Sequence, residues 1–223
     1  MPWLWAVLIC WMAVSAQAGA WPREQGSVFI SVSTDQARSQ IYAEYGMRGD
    51  WTLGTEVSMP HGRRLPDITQ FIHHPVWRGD GGAILSAGAA IELRETTAAI
   101  AFPQLKGASE TAVRAGLFWG KSLETRFGDG WATIDAQVEK LVTTDWLGEG
   151  LTYKLDIGLG VKPIDKLMLM AQAQLWRRGD TQNLRLETSA AWALGRTHLV
   201  VSPSVGVIGP KAARVKLGVW VEF

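Results

Sequence analysis

Past Trp21, a period-two alternation of apolar and polar side chains recurs until the last residue, Phe223. The clearest stretch is Leu151-Thr152-Tyr153-Lys154-Leu155-Asp156-Ile157-Gly158-Leu159-Gly160-Val161, where every odd position is apolar and every even one is polar or Gly. Successive side chains of a strand point to opposite faces, so each such segment has one greasy face and one wet face. The pattern recurs at Trp51–Met59, Val113–Gly120 and Leu184–Trp192. Read along the chain it predicts about twelve strands, near 27–34, 38–47, 51–59, 68–77, 82–93, 111–120, 131–141, 151–161, 166–176, 182–194, 197–207 and 212–223. The fourth alternates least well and contains Pro75. A tilted membrane-crossing strand needs roughly 9–11 residues, and these segments suit that length.

The wet rows carry Glu44, Glu56, Glu92, Asp135, Glu139, Asp156, Glu187 and Glu222, with Arg114, Lys154, Arg185, Arg214 and Lys216. Charge alone does not separate a membrane barrel from a soluble sandwich, whose wet face could hold the same residues. The aromatic residues do separate them. Tyr45, Trp51, Trp119, Trp192 and Phe223 all fall on the apolar face, and all at the same end of their segments. Aromatic rings favour the membrane–water boundary, so this set reads as a girdle at the periplasmic rim. A chain crossing lipid with strands must close into a barrel, since no backbone group can stay unpaired there.

The last segment alternates Ala213, Val215, Leu217, Val219, Val221 and Phe223 with Arg214, Lys216, Gly218, Trp220 and Glu222. It resembles the C-terminal signature of Gram-negative outer-membrane β-barrel proteins. That resemblance implies recognition of the terminal aromatic by the barrel-insertion machinery. Ala20-Trp21-Pro22, together with Tyr42-Ala43-Glu44-Tyr45-Gly46 leading to Trp51-Thr52-Leu53-Gly54, is also similar to an uncharacterised outer-membrane family linked to the meta-pathway of phenol degradation. This second resemblance implies no substrate and no functional residue.

Met1–Ala20 has no charged side chain, and its apolar run Trp3–Val14 ends in Ser15-Ala16-Gln17-Ala18-Gly19-Ala20. Small residues at 16 and 18, or at 18 and 20, fit a signal-peptidase site. The expected organisation is a signal peptide over 1–20, cut after Ala18 or Ala20, and a transmembrane β-barrel over 21–223. Cys10, the one cysteine, would leave with the peptide. That excludes disulfides and thiolate zinc sites from the mature chain. With 22 Lys and Arg against 21 Asp and Glu, the chain has no electrostatic footprint for nucleic acid.

Arg48-Gly49-Asp50, Arg78-Gly79-Asp80-Gly81, Lys162-Pro163-Ile164-Asp165 and Gly195-Arg196 are turn sequences that fall at one end of the strands. The longer insertion, Arg94–Glu110, falls at the other end, as in outer-membrane barrels with short periplasmic turns. The insertion holds an apolar stretch, Ala98–Pro103, expected to fold into the mouth, pack on the wall or extend a strand. Arg-Gly-Asp recurs at 48–50, 78–80 and 178–180 and reads as turn chemistry, not as an adhesion motif.

The charged inward rows are expected to line the lumen. Gly54, Gly88, Gly116, Gly158, Gly160, Ser58, Ser86, Ser189 and Ser204 on the same rows favour open space, while mixed charges favour pairing. His198 and Ser202 lie on one strand face but about 13 Å apart, too far for a catalytic pair. His73 and His74 point to opposite faces. No catalytic, cofactor or metal site is therefore expected. The sequence reads as a monomeric, closed antiparallel transmembrane β-barrel of about twelve strands in the bacterial outer membrane. Its partners would be the lipid bilayer, lipopolysaccharide and the insertion machinery. The function that fits is a narrow, passive or weakly selective, porin-like channel for small solutes. A closed structural or surface-interaction barrel is the alternative, and an outer-membrane hydrolase a distant third.

Overall fold

The computed structural model describes residues 19–95, 109–142 and 150–223. Twelve antiparallel strands close on themselves: β1 Val28–Thr34, β2 Arg38–Gly46, β3 Thr52–Pro60, β4 Asp67–Arg78, β5 Ile84–Glu95, β6 Ser109–Thr125, β7 Gly128–Leu141, β8 Thr152–Ile164, β9 Leu167–Arg178, β10 Thr181–Leu194, β11 Thr197–Ile208 and β12 Ala213–Glu222. Each strand pairs with its neighbours in sequence, and β1 closes the barrel against β12 with Phe29 opposite Glu222 and Thr34 opposite Leu217. Val28 and Phe223 exchange backbone hydrogen bonds of 3.1 and 2.9 Å, so the last residue completes the seam. Closure leaves no unpaired edge.

The alternation fixes which way each strand faces. Val32, Ile41, Leu53, Ile91, Leu117, Leu159 and Leu217 all point outward, each more than two-fifths exposed on the isolated chain. An outer wall this apolar needs hydrocarbon around it, because water-soluble monomers seldom expose apolar patches beyond a few hundred Å². No described helix is long and apolar enough to cross a membrane. Tyr45, Trp51, Trp192 and Phe223 lie on this outer face with exposures of 47, 41, 45 and 63%; Trp119 is half-buried there. All five stand at the rim bearing the turns 47–51, 79–83, 126–127, 165–166 and 195–196.

The opposite rim carries the connections 35–37, 61–66, 179–180 and 209–212, and there β5 and β7 end and β6 and β8 begin. The insertion expected over 94–110 is shorter than that: Arg94 and Glu95 continue β5, and Ser109 and Glu110 begin β6, with Arg94 paired opposite Glu110. Cross-strand pairing of these charged residues extends both strands past the apolar band. The Ala98–Pro103 stretch lies outside the described residues. Below the band, β6 and β7 run on as a hairpin through Arg126-Phe127, beyond the limits read from alternation.

At 48–50 the Arg-Gly-Asp triplet is a tight hairpin turn. Gly49 and Asp50 both have positive φ, 74° and 60°, and the Met47 amide donates to the Trp51 carbonyl at 2.7 Å to close the loop. Arg78 of the next triplet donates to Asp50 at 2.9 Å, so these two triplets bind each other. β4, the poorly alternating segment, is a strand with a bulge between Pro75 and Trp77. The bulge explains the faulty alternation: one extra residue shifts the side-chain phase.

Candidate functional site: the barrel lumen

Three groups of residues fill the lumen. Near the loop rim, β5–β8 bring six charges together. Glu139, with a side chain 3% exposed, accepts from Arg94 Nη1 at 3.2 Å, Arg114 Nη2 at 3.1 Å and Lys154 Nζ at 2.9 Å. Arg94 also reaches Glu110 at 3.2 Å and Glu92 at 3.5 Å, and Arg114 pairs with Glu92. Three cations face three carboxylates, so the cluster is neutral and its charges are mutually desolvated. Across the lumen, Lys216 donates to Glu187 at 2.8 Å, and Arg185 donates to the Ser204 hydroxyl at 3.1 Å. Arg214, on the same face of β12, stands opposite Ser204.

At the turn rim, the segment Gly19–Glu24 folds into the barrel mouth. Ala20 is fully buried, and its carbonyl accepts from the Ser86 hydroxyl at 2.6 Å. The Arg23 amide donates to Thr52 Oγ1 at 2.8 Å, and its guanidinium pairs with the buried Glu44 and reaches Glu222 at 3.3 Å. The guanidinium also lies 4.4 Å from the Phe29 ring centre. Beside it, Trp131, Met168, Ala191 and Val200 form an inward apolar cluster with Trp21, Met170 and Trp220. Pro22 and the absence of alternation over Ala20–Glu24 set this segment apart from the strands, and that is the sequence signal for this wedge. What it packs against depends on register.

Between the two rims lie two cavities of about 260 and 290 Å³. Both touch Tyr42, Asp135 and Gln172, so together they surround the lumen centre. The first is lined by Ser31, Ser33, Gln40, Ser189 and Ser202; the second by Glu56, Thr69, Gln137 and Asp156. Apolar side chains share both walls, Met170, Val200 and Trp220 in the first and Phe71 and Phe118 in the second, so the hydroxyl, amide and carboxylate groups that suit water and small polar solutes form part of a mixed lining.

The small inward residues do not all leave space. A Cβ on Gly54 would fall inside the Phe71 ring, and one on Gly160 inside the Trp131 indole. A Cβ on Gly116 would lie 2.8 Å from Phe118. These glycines are seats for inward aromatic rings. This corrects the reading of those glycines as pore space: the rings that fill them sit on neighbouring strands or two residues along, at positions set by register. Ser86 and Ser189 are likewise committed, to Ala20 and to Ser202.

Asp135 and Asp156 stand directly opposite each other on β7 and β8. Neither they nor Glu56 make an ion pair among the described residues. Ser202 is bonded to Ser189 at 2.8 Å, and the His198 ring lies 6.2 Å from that of Trp220, so these two do not meet. His73 is buried among Phe71 and Phe118, 4.0 Å from Glu44, and His74 packs on Trp51 outside. Among the described residues, no group of three His, Cys, Asp or Glu could hold a metal ion.

No family model matches the chain, and no curated protein does. Solved structures do. A KdgM porin superposes with a TM-score of 0.61 at 8% identity, covering 88% of this chain and 99% of the porin. The KdgM porin in complex with disordered oligogalacturonate gives 0.64 at 8% identity over the same shares. A NanC porin gives 0.60 at 8% identity, covering 87% and 98%. The β-domain of the Bordetella autotransporter BrkA gives 0.50 at 11% identity, covering 92% and 99%. At these identities the likeness is one of fold: the chain shares the twelve-stranded closed barrel of small outer-membrane proteins.

Proposed function

We propose that this protein is an outer-membrane barrel forming a narrow, passive, weakly selective channel for small polar solutes. The observation that carries the reading is the pair of cavities, lined by polar and apolar side chains alike, that share Tyr42, Asp135 and Gln172 inside a closed barrel with an apolar outer wall. Near balance of lumen charge supports weak selectivity. Six of those charges cancel around Glu139, and Lys216 cancels Glu187. A solute in such a lumen meets mixed short-range dipoles, not a field of one sign. The porin neighbours share the fold and support the same class of function.

In this reading the chain is exported by a cleaved signal peptide, and Phe223 hands it to the insertion machinery. It sits as a monomer among lipids and lipopolysaccharide, with the turn rim in the periplasm. It is not an enzyme.

The second reading, a closed structural barrel, is favoured by the Gly19–Glu24 wedge and the apolar cluster around Trp131. Planar-bilayer recording of the purified barrel separates the two. Single-channel current steps support the channel. A correctly folded protein that stays silent refutes it and favours the closed barrel.

A further inference from the structure

Asp135 is the lumen group whose surroundings make least sense for the chain as translated. One carboxylate oxygen, Oδ1, is buried with no hydrogen-bond partner among the described residues. Its cross-strand neighbour is another carboxylate, Asp156. Like charges directly opposite in a strand pair destabilise it, and a buried charge needs a partner. Lys154, on the strand beside Asp135, donates to Glu139. The group that does approach Asp135 is Gly19: a Cβ placed on Gly19 would lie 3.1 Å from Asp135 Oδ2 and 3.3 Å from Oδ1. The Gly19 nitrogen sits about 2.5 Å from that Cβ position, which puts it within about 6 Å of the carboxylate.

In the unprocessed chain that nitrogen is a neutral amide. After a cut at Ala18 it is a cation. We propose that signal peptidase cuts between Ala18 and Gly19, and that the new α-ammonium of Gly19 pairs with Asp135, latching the N-terminal segment inside the turn rim. Water adds across the Ala18–Gly19 amide. Ala18 leaves as a carboxylate, and the Gly19 amine holds the released proton. The small residues Ala16 and Ala18 fit this cut.

The alternative cut, after Ala20, would discard a residue that is fully buried and bonded to Ser86. It would also discard the methyl that a Cβ on Gly120 would meet at 2.7 Å. Beyond the latch, Arg23 holds the same segment to Glu44. The processed terminus is thereby fixed at two points, Gly19 by Asp135 and Arg23 by Glu44 and Glu222. This inference rests on export through a cleaved signal peptide but not on conduction, so a silent barrel leaves it standing.

The test uses the mature protein purified from outer membranes. Mass spectrometry of its N-terminal peptide should find Gly19 first. The amine is then acylated over a pH series in the folded barrel and read on that same peptide. A free α-amino group titrates near 7.7–8.0, and pairing should raise this by about one unit or more. Acylation at pH 8 should be several-fold slower than in Asp135→Asn, where the ordinary value returns. If Asp135→Asn fails to assemble, the wild-type titration still decides. A chain starting at Trp21 overturns the cut. A Gly19 amine with an ordinary titration overturns the latch. Retention of residues 1–18 overturns the inference together with the export reading.

Discussion

Glu139→Gln removes the central anion of the loop-rim network while keeping its shape. In the native lumen Glu139 serves Arg94, Arg114 and Lys154 at 2.9 to 3.2 Å. After the change the cluster holds three cations and two carboxylates. Arg94 keeps Glu92 and Glu110, and Arg114 keeps Glu92, so neither loses all pairing. Lys154 loses the carboxylate it donates to, and its side chain is only 28% exposed. Removing one partner of a buried pair typically costs about 3–5 kcal/mol. Because two of the three cations keep partners and Lys154 retains some water, the lower end, about 3 kcal/mol, is expected. Urea unfolding in lipid vesicles, followed by tryptophan fluorescence, measures it. Lys154→Met in the same background should recover part of the loss, with a coupling of about 1–3 kcal/mol in the double-mutant cycle. A Glu139→Gln barrel within 0.5 kcal/mol of wild type would refute the network as a desolvated unit.

Gly54→Ala should destabilise the barrel by about 1–3 kcal/mol, because its methyl overlaps the Phe71 ring; Phe71→Ala in the same chain should relieve most of this in the same unfolding assay. Asp35, in the β1–β2 connection at the rim, titrates below its ordinary value. Burial pushes it up, but the amides of Ala37 and Arg38 and the Arg214 and Arg38 cations outweigh that. The turn's stabilisation by Asp35 is therefore full above about pH 4 and is lost as pH falls through the lowered value. NMR titration of the Asp35 carboxyl should give a midpoint below that of a free Asp. Phe223→Asp should change the stability of assembled barrel by only about 0–1 kcal/mol, yet strongly reduce the heat-modifiable form recovered from membranes. Normal recovery would count against recognition of the terminal aromatic.

The architecture was legible because a two-residue period and a one-residue-thick wall leave little else to decide. Leu151–Val161 shows this best: β8 spans Thr152–Ile164, with Lys154 and Asp156 on one face and Tyr153 and Ile157 on the other. Even the weak fourth segment is a strand, its broken phase explained by the bulge after Pro75. The contents of the lumen were far less legible. The faces carrying Glu92, Arg114, Glu139 and Lys154 can be read from alternation. That all four converge cannot, because it depends on the offset between four neighbouring strands. Gly54 reads as space until the register sets Phe71 beside it. Trp21, Pro22 and Arg23 alternate with nothing, and only the closed barrel supplies the mouth they fill.

Site-directed spin labelling along β8 tests the central claim most directly, that the barrel is apolar outside and wet within. Single cysteines, placed in turn at Tyr153 through Leu159, are labelled in lipid vesicles. Their accessibility to dissolved oxygen and to a water-soluble nickel complex is then compared. Oxygen accessibility should peak at Tyr153, Leu155, Ile157 and Leu159, and nickel accessibility at Lys154, Asp156 and Gly158, with a strict two-residue period. The opposite phase, or no period at all, would contradict the membrane barrel. Inward positions shielded from both reagents would contradict the water-filled lumen.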